Sequence, residues 1–246
     1  LKFLNIYFKF VNRLFRNFHF LNSLNHEVFK DLISPEAKVK VSPNPLDEGQ
    51  IKLIKENIKE VNKDVNKEVN KSKVIGTYSL MRTGKRLDRA IEMIAILPPD
   101  YSLLIGGKGP EESNLKKQVE KLNLESRIKF LGWMDDKMKN QFFKIINIFL
   151  ITSDADTHSL VFLEAIINKM PVISVPNPVF KEIYPEGICA NYSKNFKPAS
   201  LAEEIILYDK KRLSTIISSK YIFNQQKYYT YAEDLLNKLI VFKKIN

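Results

Sequence analysis

Cysteine is nearly absent from this chain: its 246 residues include one, Cys189. A lone cysteine excludes an internal disulfide framework and a cysteine-based zinc site, and it fits a reducing compartment. Histidine is scarce as well, and His19, His26 and His158 lie too far apart in sequence to suggest a metal cluster. No stretch approaches the ~18 uninterrupted apolar residues that a membrane-crossing helix needs. Negative charge is in deficit: 28 Asp and Glu face 39 Lys and Arg, for a net charge of +11. Such an excess suits an anionic partner, whether nucleic acid, a membrane surface or a phosphorylated ligand. Lys-rich solvated faces account for it equally well. The 44% hydrophobic and 27% charged content is otherwise ordinary for a globular protein.

The opening stretch to Leu21 is crowded with aromatics but interrupted by Lys2, Lys9, Arg13 and Arg16. It has no small-residue cleavage site, so it does not read as a signal peptide. A basic, aromatic segment of this kind suits either peripheral contact with a membrane interface or a helix packed on another domain. The chain begins with Leu1 rather than Met, which fits a piece of something longer. Residues 22–35 predict a short helix stopped by Pro35, and Val39-Lys40-Val41 a strand before the turn Ser42-Pro43-Asn44-Pro45. Gln50 to Glu60 is helix-like. From Val61 to Ser72 a low-complexity run, VNKD-VNKE-VNKS, predicts a marginal helix or solvated linker, because Asn is a poor helix former.

After this run the texture changes. Apolar runs at Val74–Tyr78, Tyr101–Ile105, Ile128–Leu131, Ile148–Ile151 and Val172–Val175 alternate with helical patterns at Lys85–Leu97, Glu111–Leu122, Lys137–Ile146 and Leu160–Asn168. The first helix is expected to bury Leu87, Ile91, Ile94 and Ala95. Strand–helix alternation predicts an α/β fold, a doubly wound parallel sheet with right-handed crossovers. A further apolar stretch near Ile188 and helices at Ala199–Tyr208 and Tyr231–Phe242 complete the chain. The expected divisions are residues 1–47 as a remnant of a preceding domain with its link, 48–72 as charged linker, 73–195 as the α/β domain and 196–246 as terminal helices.

Candidate chemistry gathers where strands end. In such a sheet, ligands sit beyond the carboxyl ends of the strands, against helix N-termini. Asp156 lies in the turn after the strand at Ile148, and Glu164 lies eight residues further along the next helix, so both could face one pocket. The alternative for Asp156 is a helix cap, and for Glu164 an exposed helical charge. Yet Glu164 stands within an otherwise apolar segment, Leu160 to Ile166, where a buried carboxylate needs hydrogen-bond donors. Backbone N–H groups at His158 and Ser159 would point toward a phosphate bound at that helix start. Lys85, with Arg82 and Arg86 in the same turn, could form an anion site. Gly106-Gly107-Lys108-Gly109-Pro110 is neither a Walker loop nor a dinucleotide motif, and by itself it serves a tight turn as readily as a ligand.

Four segments in order resemble the C-terminal half of a retaining glycosyltransferase of family 4. They are Ser79 to Asp88, Ile105 to Pro110, Phe130-Leu131-Gly132, and Ser153 through Glu164-Ala165 with Met170-Pro171-Val172-Ile173. The family pattern reads Gly-Arg-Leu-x-x-x-Lys-Gly, Gly-x-Gly-Pro, Phe-x-Gly, and Glu-x7-Glu. Here Leu80 stands for the arginine, Asp156 for the first glutamate, and Ser159 and Met170 for glycines. The resemblance covers roughly residues 37 to 190 and implies a two-Rossmann-domain, glycogen-phosphorylase-like fold. It further implies sugar transfer from a UDP- or GDP-linked donor to a glycan, lipid or cell-envelope acceptor, with no metal in the site. Lys85 would bind the donor diphosphate, with Arg82 in place of the missing arginine. Glu164 would hold the ribose and Asp156 the donor sugar. Amides around His158, Ser159 and Leu160 would receive phosphate oxygens. The turn holding Gly109 and the loop with Trp133 would complete the donor pocket, Trp133 near the base.

The resemblance also implies a full N-terminal domain, of which about 40 residues precede the link, so a separate chain carrying that half is one expected partner. A non-catalytic half that binds nucleotide-sugar is the first alternative, and a basic nucleic-acid-binding α/β protein, which shows no reader motif, is the second. The expected location is the cytoplasm, with peripheral association at the cytoplasmic face of a membrane as an option beside it.

Overall fold

The structure is a computed structural model that describes residues 15, 17–20, 23–41, 73–154, 156, 159–168, 170–184, 186–187 and 190–217. Its centre is a sheet of six parallel strands: β3 (Lys73–Tyr78), β4 (Tyr101–Gly106), β5 (Ile128–Gly132), β6 (Ile148–Ile151), β7 (Val172–Ser174) and β8 (Ala190–Tyr192). The spatial order is β5-β4-β3-β6-β7-β8. The chain therefore builds outward from β3 to β5, then returns to the other side of β3 to lay down β6. That reversal opens a crevice beyond the carboxyl ends of β3 and β6.

The strands read as near-continuous apolar runs because helices cover both faces of the sheet. The period of two sorts their side chains into two cores. On β6, Phe149 and Ile151 point to one face, with Tyr78, Phe142, Phe162, Phe180 and Tyr184. Ile148 and Leu150 point to the other, with Ile75, Leu87, Ile91, Ile94, Leu103, Ile105 and Leu201. Phe162 and Tyr184 stack with ring centroids 3.8 Å apart and planes 9° from parallel. Each such fully buried aromatic contributes about 2–3 kcal/mol of transfer free energy. Gly76, in mid-strand, lets the helix above approach closely: a Cβ there would lie 2.5 Å from Phe142 and 2.6 Å from Ile146.

Helices α2 (Leu87–Ile96), α3 (Glu112–Lys121) and α5 (Leu160–Ile167) fall within the predicted segments, each slightly shorter than expected, and α4 (Asp136–Ile145) is shifted one residue toward the N-terminus. Ahead of them stands α1 (Ser23–Phe29), followed by a 3-10 turn at Lys30–Leu32. On α2 the buried apolar residues include Leu87, Ala90, Ile91 and Ile94, while the expected Ala95 is exposed. The i, i+3, i+4, i+7 stripe through Leu87 runs over Ala90 and leaves Ala95 at its solvent edge. Helix α6 (Pro178–Ile183) was not expected. Its signal is the Asn177-Pro178 pair, since Asn177 accepts from the Val179 amide at 2.9 Å and proline fills the first helical position. The last described helix, α7 (Pro198–Ile217), is longer than predicted and sets Leu201, Ala202 and Ile205 into the same core as α2.

The N-terminal region corrects one expectation. Instead of a helix, Asn17–Phe20 forms strand β1, which pairs in parallel with β2 (Lys38–Val41). Alternation in Asn17-Phe18-His19-Phe20, together with a partner strand, overrides the basic-aromatic pattern that suggested a helix. Residues 1–14, the linker at 48–72 and the helix at Tyr231–Phe242 lie outside the described residues.

Candidate active site

Two loops build the crevice. One leaves β3 and contains the 3-10 turn Thr83–Lys85; the other leaves β6 and leads to α5. Hydrogen bonds tie them edge to edge. Thr152 Oγ1 donates to the Lys85 carbonyl at 2.8 Å, and the Asp154 amide to the Gly84 carbonyl at 3.3 Å. The buried Arg89 donates to the Thr152 carbonyl and to Asp154, both at 2.8 Å. Arg86 bonds Asp154 at 2.8 Å and Asp88 at 2.9 Å. Burial alone would raise the Asp154 carboxyl, but hydrogen bonds from Arg86 and Arg89 outweigh it and hold the group below its ordinary value. The two aspartates raise Arg86 further still, so it remains a cation.

A second set of contacts supports this loop from the side. Gly107 has φ +108, and a Cβ there would collide with the Ser79 carbonyl. A Cβ on Gly109 would collide with the Met81 backbone, whose N–H donates to the Lys108 carbonyl at 2.9 Å. These glycines answer a close backbone approach, the structural half of the two roles weighed for that motif.

Lys85 and Asp156 meet across the crevice, Nζ to Oδ2, at 2.5 Å, with side chains 22% and 12% exposed. They line a cavity of about 570 Å³ together with Arg82, Gly84, Asp154, Asn177 and Val179. Leu24 and Asn25 of α1 also line it. Sequence reasoning missed Asn177, whose side chain donates to the Asp154 carbonyl at 3.1 Å, and the α1 residues. Nothing local in the sequence links Leu24 to Lys85. Arg82 is exposed and makes no ion pair among the described residues, whereas Arg86 is fully engaged by Asp88 and Asp154. Of the three cations expected to gather in this turn, Arg82 and Lys85 line the cavity and Arg86 does not.

Glu164 does not line this cavity. It lies on α5, where the buried Tyr78 hydroxyl donates to Oε2 and Lys139 Nζ donates to Oε1 at 3.1 Å. The carboxylate is neither buried nor free: 30% of its side chain is exposed. Burial first, then the neighbouring Glu164 charge, raises the Tyr78 phenol, so it stays a donor. Asp156 does not cap α5. That position is Ser159, which is buried and makes no side-chain cap bond. Leu160 is exposed at the first turn, and Trp133, after β5, is 69% exposed. His158 lies outside the described residues. Among the described residues no group of His, Cys, Asp and Glu is arranged to hold a metal ion, and no helix is long and apolar enough to cross a membrane.

Strand order and crevice together define a Rossmann-like, doubly wound α/β protein. The sequence profile of the Glycosyl transferases group 1 matches residues 58–222, and the chain belongs to that family. It is 25% identical over 167 residues to the alpha-monoglucosyldiacylglycerol synthase of Streptococcus pneumoniae, covering 64% of this chain and 37% of that protein. It is 34% identical over 84 residues to the lipopolysaccharide core biosynthesis glycosyltransferase LpsE of Rhizobium meliloti, covering 34% of this chain and 24% of that one. The chain therefore spans well under half the length of these relatives. Among solved structures, Anabaena HepE in complex with UDP-glucose superposes with a TM-score of 0.71 at 20% identity, covering 99% of this chain and 67% of that chain. Family membership displaces the nucleic-acid-binding alternative.

Proposed function

We propose that the chain forms the donor-binding half of a retaining glycosyltransferase that uses a nucleotide-activated sugar. One observation carries this reading: Lys85 and Asp156 face each other at the strand-order reversal, on a cavity bounded by tied loops. The Lys85 ammonium, with Arg82 in the same loop, would take the donor diphosphate, and the N-terminal amides of α5, at Ser159 and Leu160, would take further phosphate oxygens. On leaving-group departure, the negative charge that grows on the diphosphate would be met by these donors. Asp156 would then exchange its ion pair with Lys85 for hydroxyls of the donor sugar. Glu164 would hold the ribose, and the turn at Gly109 and the exposed Trp133 ring would bound the base. No step in this scheme needs a metal.

UDP is favoured over GDP as the carrier by the ligand in the Anabaena HepE crystal. A lipid or cell-envelope glycan acceptor is supported by the names of the curated relatives. An acceptor at a membrane would place the protein on the cytoplasmic face, with the basic aromatic residues 1–14 as surface contact. The acceptor half would come from an N-terminal domain, in cis or as a separate chain.

Thermal shift with UDP, UDP-glucose and GDP, in buffer with a chelator, tests the donor reading. Millimolar UDP or UDP-glucose is expected to raise the melting temperature by several degrees, with no effect of chelator. Lys85→Ala should weaken binding about 30-fold or more, the value of a lost charge-assisted contact to phosphate. Unchanged melting with every nucleotide sinks the proposal.

A further inference from the structure

The Glu164 station holds more than a carboxylate. An ionised carboxylate offers about four lone-pair positions on two oxygens. In this chain Tyr78 occupies one position on Oε2 and Lys139 one on Oε1. One acceptor position per oxygen therefore remains on the 30% of the side chain that is open. The two donors are themselves fixed. Tyr78 is 6% exposed, its ring wedged edge-on against Phe142, Phe143 and Phe149. Lys139 lies with Nζ 5.6 Å from the centre of the Tyr78 ring and 3.9 Å from Asp136. Lys139 also compensates the Glu164 charge, which otherwise opposes an anionic nucleotide, as Lys85 does for Asp156 and as Arg86 and Arg89 do for Asp154.

We propose that Tyr78 and Lys139 are positioning residues that turn Glu164 into a bidentate acceptor for a cis-diol, and so set the preference of this chain for ribonucleotides over deoxyribonucleotides. The inference rests on the reading that Glu164 meets the ribose. Tyr78, at the end of β3, holds one oxygen and Lys139, on α4, holds the other, which leaves one acceptor position on each oxygen for a pair of hydroxyls. Without either donor the carboxylate turns about its terminal torsion, and the two hydroxyls of a ribose no longer find both acceptors at once. Tyr78 stays protonated across the working pH range, because burial and the adjacent carboxylate both oppose the phenolate.

The experiment measures affinity of the full chain for UDP and 2′-deoxy-UDP, and for GDP and 2′-deoxy-GDP, by calorimetry. Wild type is expected to prefer the ribonucleotide about 10- to 100-fold, the range for one hydrogen bond to a charged group. Glu164→Gln should abolish that preference. Lys139→Met and Tyr78→Phe should each cut it below about fivefold, while Lys139→Arg, which keeps the cation, should restore most of it. A merely structural salt bridge would lower stability in Lys139→Met and leave the ribo-to-deoxy ratio untouched. That result, with Glu164→Gln still losing discrimination, overturns the positioning role and spares the ribose reading. A wild-type chain without ribose preference, or without binding to either nucleotide, removes the ribose reading and this inference with it. Should Tyr78→Phe fail to fold, the variants of Lys139, whose side chain is 28% exposed, decide alone.

Discussion

The cavity has two walls of different construction. The sheet-side wall, from Arg82 to Asn177, stands on two cores and is cross-tied by the bonds of Thr152, Asp154, Arg86 and Arg89. The other wall is α1, which contributes Leu24 and Asn25 and buries no residue; Val28 on it is 71% exposed, and Leu24 and Phe29 are exposed too. Its first residue, Ser23, gives both its amide and its hydroxyl to Glu182 of α6, at 3.0 and 2.6 Å, on the open surface. The difference teaches where the geometry of the site is fixed. Burial and charge-assisted bonds hold the sheet-side wall in place before any ligand arrives, whereas the α1 wall belongs to the low-stability end of the molecule. Donor affinity should follow the first wall and respond weakly to the second.

The largest way to break this contrast is Gly107→Ala. The residue has φ +108, and its new methyl would strike the Ser79 carbonyl, so the β3 loop must move off β4. Left-handed strain and overpacking together predict a loss of about 2–5 kcal/mol. Urea unfolding of the variant should show it, along with lost nucleotide binding. A native-like midpoint would mean that the β3 loop is not held by this approach.

Arg89→Met comes next. It removes donors from the Thr152 carbonyl and the Asp154 carboxylate while keeping the buried stem, at a cost of about 2 kcal/mol. It also changes the acid response. The folded Asp154 carboxyl is held below its ordinary value, so its stabilisation is present above the unfolded value near pH ~3.9 and is lost as pH falls through the lower folded value. Melting curves taken down to about pH 3 should show a smaller acid-induced drop in the variant than in wild type. Equal drops would assign the loop's acid sensitivity to another group.

The sheet-side wall was also the legible one. Apolar runs separated by helical periods give β3 to β7 and α2 to α5 in order, because parallel strands covered on both faces leave little room for ambiguity. Lys85, Asp156 and Glu164 follow from motif spacing. The pairing of Lys85 with Asp156 needs the loop ties, and Lys139 beside Glu164 needs α4 packed over β3 at Gly76. Those are contacts between distant segments, invisible to periodicity. Strand β1 was misread because four residues of alternation inside an aromatic, basic run carry less signal than the run itself. The partner strand at Lys38–Val41 decides the matter, and it lies outside any local window.

The smallest expected effect is at the weaker wall. Ser23→Ala removes the hydroxyl bond to Glu182 but leaves the amide bond, and both groups are exposed. Exposed polar contacts of this kind contribute about 0.5 kcal/mol, so the melting temperature should fall by about a degree or two. Affinity for UDP should stay within about twofold of wild type, since Lys85, Arg82 and the α5 amides are untouched. A second variant, Glu182→Ala, removes both bonds and should behave alike in nucleotide binding while loosening α1 further. Hydrogen exchange can separate the walls: protection of the Ser23–Phe29 amides should drop in both variants, and protection in β3 and β6 should not change. If either variant weakens UDP binding tenfold, α1 contributes directly to the donor site and the two walls act as one unit.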